Sequence, residues 1–532
     1  MSVRRMARSE TLETLNRRFH GACKILLKAE VGDVWEFDEW LEGMIEKNRL
    51  EKSCVSGKEV FLGIKEYAEN ARFVSFDEID YGKKYAAAPL GKAEGVDALA
   101  RSLSGRFMYA GNLVIGKSSH VERSANISDS HYVYDSALYG DCKYMHKSTL
   151  GRLNEDLFGS HGCGESQFCI RCTQTYRDRR CFEAWMTQNC ADVYYSFNLD
   201  FCSECIFCFN LRNKHHCIGN VQMEPEEYFK VKERLLSEMA AMLRKGKKLP
   251  SLLDILAKSR WSAPKIPDIP RASKGGGREE VEREFSKTAK LVLGTELRGI
   301  DNYREWLLKH THTLQRLKSA ASGKEVLFLP FVVALPKLPG NRLLTMEEAL
   351  WLGEHSAISK EEAVRISMAS AHESLGEIGF FPIEFWEGKN VCVTDSYMSL
   401  HTSYCYNTSA MVEAKYCACG MWPRTSEHCF GFDSLLDCSF CVKCYNSQKL
   451  TRCFECDSCN SSSGCYLCHN VENCQDCMFC FNVKNLKYAI GNVEVGKEEY
   501  ARVKKMVLAE IGARLEKDKK LPWDIYSIGA RK

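Results

Sequence analysis

The chain has 532 residues, with 73 basic and 70 acidic side chains and a net charge of +3. This balance excludes a strong overall field toward nucleic acid or anionic lipid, and the absence of an 18-residue apolar run excludes a predicted membrane span. The N-terminal segment has basic residues but no apolar core, so we expect no secretory signal and a cytoplasmic location. The 28 cysteines are then expected to be mostly reduced thiols.

The sequence predicts two copies of one module in tandem. The pentapeptide at Ser56–Val60 recurs at Ser322–Val326, an offset of 266 positions, and from residue 158 onward the offset is 272. We therefore predict a first module at 1–258 and a second module at 281–532. In each module a small α/β region is followed by a cysteine-rich repeat and then by a helix.

The cysteine-rich repeats predict the fold. Cys438, Cys456 and Cys474 follow one another at intervals of 18 positions. The cysteines from Cys142 to Cys217, and those from Cys438 to Cys480, keep spacings that are multiples of three. A fixed period of about 20 residues is typical of a solenoid. We predict an α+β fold with a triangular parallel β-helix of about 18 residues per coil, at about 120–220 and about 388–492.

A helix is predicted to cap each β-helix, at about 225–246 and about 497–516. Pro225 and Glu498 stand at first-turn positions, where proline and acidic side chains favour helix starts. Between the modules, residues 259–280 are rich in proline, glycine and basic side chains. They predict a flexible basic linker.

Many of the cysteines form Cys-x-x-Cys pairs, the usual spacing of a zinc half-site. Several of them are replaced by small residues in the first module, which favours packed thiol ladders over zinc. We commit to no cofactor, and zinc stays an alternative. Its candidate ligands are Cys438, Cys441, Cys444, Cys453, Cys456, Cys459, Cys474, Cys477 and Cys480.

Clusters of basic residues near the repeat ends suggest contact with an anionic partner. Asparagines in the repeats, at Asn210, Asn446, Asn470 and Asn482, are expected at corners where left-handed backbone is tolerated. The candidate partner-binding residues are Arg177, Arg179, Arg180, Arg212, Lys214, Lys484 and Lys487.

The segments CFNLRNKHHCIGN (Cys208–Asn220) and CFNVKNLKYAIGN (Cys480–Asn492) carry a family resemblance. The chain resembles a group of uncharacterised cysteine-rich β-solenoid repeat proteins of archaea and candidate-phylum bacteria. In that group a Cys/aromatic solenoid ends in a similar element before a helix containing Glu-Glu-Tyr. The resemblance implies the fold and leaves the function open.

No Gly-rich phosphate loop, GxSxG or HExxH motif is present. We therefore predict a non-catalytic scaffold or interaction protein that docks onto RNA, a ribonucleoprotein or another protein, with no small-molecule substrate. The alternatives are a zinc-binding cysteine-cluster protein and an enzyme similar to the β-helix acyltransferases, which use a histidine as general base.

Overall fold

The computed structural model describes residues 8–87, 95–271, 275–311, 314–329, 337–421, 426–431, 439–445 and 450–530. The fold is mixed α+β, and most of its strand pairs are parallel. The α-helices are Glu10–Leu27, Asp38–Glu42, Val96–Leu103, Pro225–Gly246, Leu252–Ala257, Arg278–Leu293, Arg304–Leu307, Met346–His355, Lys360–Arg365, Ala371–Ser374, Lys497–Asp518 and Ile525–Ile528.

Two sets of strands, which we call the first stack and the second stack, make up most of the sheet structure. Short strands outside them are Arg49–Lys52, Glu59–Leu62, Phe73–Ser75, Tyr109–Gly111, Gln315–Lys318, Glu325–Phe328, Leu343–Leu344 and Phe381–Pro382. The first stack contains Val114–Ile115, Ser119–Glu122, Ala125–Ser128, His131–Tyr134, Ala137–Gly140, Lys143–His146, Thr149–Arg152, Glu155–Phe158, His161–Gly164, Gln167–Ile170, Arg179–Trp185, Ala191–Phe197, Ser203–Ile206, His215–Ile218 and Val221–Gln222. The second stack contains Phe385–Glu387, Val391–Thr394, Met398–Leu400, Ser403–Tyr406, Ala410–Val412, Ala414–Ala418, Ser426–Glu427, Leu450–Thr451, Phe454–Asp457, Ser462–Ser463, Tyr466–Glu472, Gln475–Met478, Phe481–Lys484, Lys487–Ile490 and Val493–Glu494.

Within both stacks, residues that pair across parallel strands are mostly 12 positions apart in the sequence. Cys169 pairs with Cys181 in the first stack, and Cys456 pairs with Cys468 in the second. The predicted 18-residue step is therefore wrong, because Cys456 and Cys474 are one and a half steps apart. The three-residue phase of the cysteines fits either step, since 12 and 18 are both multiples of three.

The chain turns at every third residue, and these turns produce the short step. We call each such residue a corner. From His120 to His216 every third residue has a positive φ, with glycine at 159 and 162. From 124 to 217 the residue after each corner is buried, except at Gly151 and Lys214. The asparagines predicted at corners do have positive φ at Asn210, Asn470 and Asn482, and Asn446 lies outside the described residues.

A long helix follows each stack at the position predicted for a cap. A short antiparallel strand pair comes first at each end, so the last parallel strand is not left as an open edge. The apolar stripes of the two helices are buried. They consist of Tyr228, Val231, Leu235 and Met239 in the first helix and Tyr500, Val503, Val507 and Ile511 in the second.

Each stack also packs against a segment from the other half of the chain. The Phe381 ring lies 4.8 Å from that of Phe197 in the first stack, and the Tyr109 ring lies 5.5 Å from that of Phe481 in the second. These contacts belong to two separate hydrophobic cores. We call residues 60–111 and 326–383 the exchanged segments. The predicted modules thus each contribute a segment to the core of the other.

The two exchanges use matching positions. Asn210 Nδ2 donates to the carbonyl oxygen of Phe380 at 3.0 Å, and Asn482 Nδ2 donates to that of Met108 at 2.7 Å. Asn210 and Asn482 are 272 positions apart in the sequence, and so are Met108 and Phe380. The offset between the two copies therefore changes from 266 to 272 before residue 108. The sequence comparison had placed this change shortly before residue 158.

Residues 259–271 of the linker predicted at 259–280 form no helix or strand and contact the second half of the chain, whereas residues 278–280 begin the helix Arg278–Leu293. Ser259 Oγ accepts a hydrogen bond from Arg342 at 2.9 Å. The Trp261 ring meets the Phe380 ring edge-on at 5.8 Å. Side chains of the second half therefore contact this part of the predicted linker.

We expect Gly376→Ala to loosen the linker. An added Cβ would overlap the carbonyl oxygen of Arg260, and because a backbone atom cannot rotate away, the expected cost is about 1–3 kcal/mol. The variant should melt at a lower temperature and be cut faster by trypsin after Lys265. Gly340→Ala is the control, since nothing lies within 4 Å of its added Cβ. Cleavage at the wild-type rate would contradict the expectation.

Candidate functional site

The candidate metal ligands line the inside of the second stack in columns of residues that are 12 positions apart. Cys441, Cys453 and Cys477 share one column with Cys405, Cys417, Cys429 and Cys465. Cys444, Cys456 and Cys480 share a second column with Cys468. Cys459 and Cys474 lie in two further columns, and Cys438 lies outside the described residues.

The described cysteines in these columns are buried and carry no disulfide bond. Thiol hydrogen bonds connect Cys453 to Cys456 and Cys465, and these bonds lower the pKa of Cys453 to about 6. Burial raises the pKa of Cys459 to about 11. Among the described residues, no group of three or more His, Cys, Asp or Glu is placed to hold a metal ion. The described part of the chain therefore has residue types that suit zinc, but they do not form such a group.

The inside of the first stack contains a carboxylate, Asp178. Its Oδ1 accepts the backbone N–H of Cys190 at 2.9 Å, and its Oδ2 accepts the hydroxyl of Thr187 at 2.5 Å. Burial raises the pKa of Asp178 to about 7. The only sequence signal for its burial is the three-residue phase that it shares with the cysteines.

Each stack also contains a buried ion pair beside a matching tryptophan. In the first stack Arg171 Nε lies 2.7 Å from Glu183 Oε1, and the guanidinium also donates to the carbonyl oxygen of Trp40. In the second stack Lys443 Nζ donates to the carbonyl oxygen of Trp306 at 2.6 Å. It lies 3.6 Å from Glu455. Burial raises the pKa of Glu455 to about 7 and lowers that of Lys443.

The basic residues predicted to bind a partner do not form one unpaired basic surface. Three of them are close to an acidic side chain: Arg177 Nε is 2.9 Å from Glu165, Arg180 Nη2 is 2.6 Å from Asp192, and Lys484 Nζ is 2.6 Å from Glu472. Salt bridges of this kind at a surface neutralise the charge that a phosphate would need.

The remaining four predicted residues are scattered. Arg212 is half-buried and donates to the backbone oxygens of Asn198 and Leu211 at 2.7 and 2.9 Å. Lys214 is half-buried at the end of an inward column, whereas Arg179 and Lys487 are exposed. Lys214 keeps the three-residue spacing of the buried cysteines, so the sequence alone could have shown that it does not belong with the surface residues.

One row of corners on the first stack combines exposed apolar side chains with paired polar ones. Its members are 12 positions apart, all have positive φ, and we call them the corner column: Asp141, Leu153, Glu165, Arg177, Asn189, Phe201 and Asn213. Leu153 and Phe201 are 50% and 57% exposed. Asn189 donates to Asp200 at 3.2 Å. Sequence analysis missed the two apolar members, because an 18-residue step does not align them.

Comparison with known proteins adds no relative. The chain matches no protein-family model, no curated protein and no solved structure. The resemblance to cysteine-rich repeat proteins therefore stays an expectation. Within the described part of the chain, no helix combines the length and the apolar character needed to span a membrane.

Proposed function

We propose that the protein is a non-catalytic scaffold whose first stack docks onto a protein partner. The proposal includes the finer fold: two four-sided β-helices with 12-residue coils, produced by tandem duplication and located in the cytoplasm. The 12-residue step supports the β-helices. The contacts that recur 272 positions apart support the duplication. Rigid repeats of this type offer extended binding faces.

The corner column is the observation that carries the proposal. Leu153 and Phe201 are both at least half exposed. They are four steps apart, which at the usual spacing of strands is about 19 Å. Between them Arg177 is paired with Glu165. Apolar anchors among satisfied polar groups are typical of protein–protein interfaces, whereas RNA binding requires unpaired cations. A protein partner is therefore favoured over RNA.

Recovery of the partner from native cells tests this proposal. We expect the tagged full chain to retain a protein at moderate salt, because apolar contacts resist screening better than phosphate contacts do. The double variant Leu153→Ser with Phe201→Ser should lose about tenfold or more in retained partner. Phe229→Ser is the matched control, since Phe229 is 47% exposed but lies on the helix Pro225–Gly246.

Three results would overturn the proposal. One is recovery of the chain alone at every salt concentration. Another is a bound protein that the double variant and the Phe229→Ser control retain equally. The third is a recovered RNA that dissociates steeply as salt rises, which would point to the ribonucleoprotein function instead.

A further inference from the structure

A cavity of about 360 Å³ lies where the start of the first stack meets the side of the second stack. Its walls come from three parts of the chain, which are the exchanged segment 60–111, the first strands of the first stack, and residues of the second stack between 458 and 484. The volume falls within the range of about 300–1,000 Å³ that is typical of small-molecule sites, and such sites are frequent at junctions between domains.

A second junction, which we call the matching junction, can be identified by its strand pairs. Val114 pairs with Ile127 beside the cavity, and Trp386 pairs with Ser399 at the matching place. Both residues of the second pair lie 272 positions after those of the first. The offset that relates the two exchanges therefore also relates the two junctions.

The matching junction carries large apolar side chains where the cavity has small polar ones. Asn126, Ser128 and Ser458 line the cavity. Their counterparts, 272 positions away, are Met398, Leu400 and Met186. The two methionines are buried in the first hydrophobic core, and Leu400 packs against that core. The fold therefore accommodates a filled junction, and packing alone does not explain why this one is lined with polar groups.

The three polar side chains have hydrogen-bonding capacity to spare. Asn126, Ser128 and Ser458 are half-buried, and the structure gives their side chains no hydrogen-bond partner among the described residues. An amide offers both donors and acceptors, and a hydroxyl offers both as well. Such groups suit a ligand that itself carries several hydroxyls.

The charges at the cavity favour a neutral ligand. Lys484 Nζ lies 2.6 Å from Glu472 and 4.4 Å from the centre of the Tyr81 ring, so its charge is already compensated. The half-buried side chains of Phe76 and Ile115 contribute apolar surface against which the face of a ring can pack.

We propose that this cavity binds a neutral small molecule whose ring carries several hydroxyl groups and which has the size of a monosaccharide or a nucleoside. Asn126, Ser128 and Ser458 hydrogen-bond the hydroxyls, and the apolar wall takes the ring face. The site shares no residue with the corner column, so it stands or falls independently of the proposed scaffold function.

Saturation-transfer NMR on the full chain tests the proposal with four probes at millimolar concentration: adenosine, uridine, glucose and myo-inositol. We expect transfer to at least one of them. Ser458→Met and Asn126→Met, which introduce the residues of the filled junction, should weaken that binding at least tenfold. Filling a cavity commonly stabilises a protein, and Met186, the counterpart of Ser458, has the same left-handed backbone. Ser458→Met should therefore melt no lower than the wild type, which separates lost binding from unfolding.

Asn213→Met, an exposed position of the corner column, is the control and should bind the probe as the wild type does. Binding of nucleosides alone or of sugars alone would each support the proposal and identify the ligand further. No transfer to any of the four probes would overturn it. So would binding that Ser458→Met leaves unchanged.

Discussion

Replacing Lys443 with methionine is expected to lower the free energy of unfolding by about 3–5 kcal/mol, the usual cost of removing one partner from a buried ion pair. Lys443 and Glu455 are fully buried. The substitution leaves the Glu455 carboxylate without its counterion. It also leaves the carbonyl oxygen of Trp306 without the donor that lies 2.6 Å away. Urea unfolding at about pH 8, where Glu455 is ionised, measures the loss.

The loss of stability should depend on pH, and a double variant should regain most of the lost stability. Lys443 lowers the pKa of Glu455 against the effect of burial, so Glu455 takes up a proton more readily in its absence. The penalty should therefore shrink as pH falls from about 8 to about 5.

Lys443→Met with Glu455→Gln should recover most of the stability, because no buried charge of the pair remains. Lys58→Met removes an exposed pair with Asp77 and should leave the free energy of unfolding nearly unchanged. A double variant as unstable as the single one would contradict this account.

Replacing Asp178 with asparagine is expected to stabilise the protein at neutral and higher pH. Burial raises the pKa of Asp178 from 3.8 to about 7. Between these values the folded state binds more protons than the unfolded state, so wild-type stability falls as pH rises through this range. The difference between the two pKa values corresponds to at most about 4 kcal/mol. The asparagine variant should gain up to this amount at about pH 8 and almost nothing at about pH 4.

Asn154, two steps earlier in the same column, shows how the new amide would be accommodated. Its Oδ1 accepts the N–H of Ser166 at 2.9 Å, as Asp178 accepts that of Cys190, and its Nδ2 donates to the carbonyl oxygen of Cys163 at 2.7 Å. Asp141→Asn, at a surface pair with Arg152, is the control and should change stability by less than about 1 kcal/mol. Chemical unfolding at the two pH values decides the matter. A gain of equal size at both would rule out titration of Asp178 as its cause.

The three-residue spacing of the cysteines predicts more of the fold correctly than the 18-residue step that was inferred from it. The phase correctly predicts that the described cysteines from Cys142 to Cys217 and, apart from Cys419, those from Cys405 to Cys480 lie inside. The step could have been corrected from the sequence. The 18-residue step takes Cys444 to Ser462, whereas the 12-residue step takes it through Cys456 and Cys468 to Cys480.

The exchange of segments could not be predicted in this way. Residues 60–111 have the same local sequence whether they pack on the first stack or on the second, and an internal offset is identical in both arrangements. The cavity escapes prediction for a related reason. Asn126 and Ser458 are 332 positions apart, and only the exchange brings them to one junction. The acidic partners of Arg177, Arg180 and Lys484 each lie 12 positions away, so an 18-residue step does not reveal these pairs.

The exchanged segments also set an order of events during synthesis on the ribosome. Phe197 and Phe209 emerge long before Phe381, the ring that covers them. About 160 residues separate the end of the first stack from that ring, so at about 5–20 residues per second the apolar end waits roughly 10–30 s for its cover. The second stack meets no such delay, since Tyr109 is already present when Phe481 is made. The nascent first half is therefore the stage at which this protein most needs protection by a chaperone.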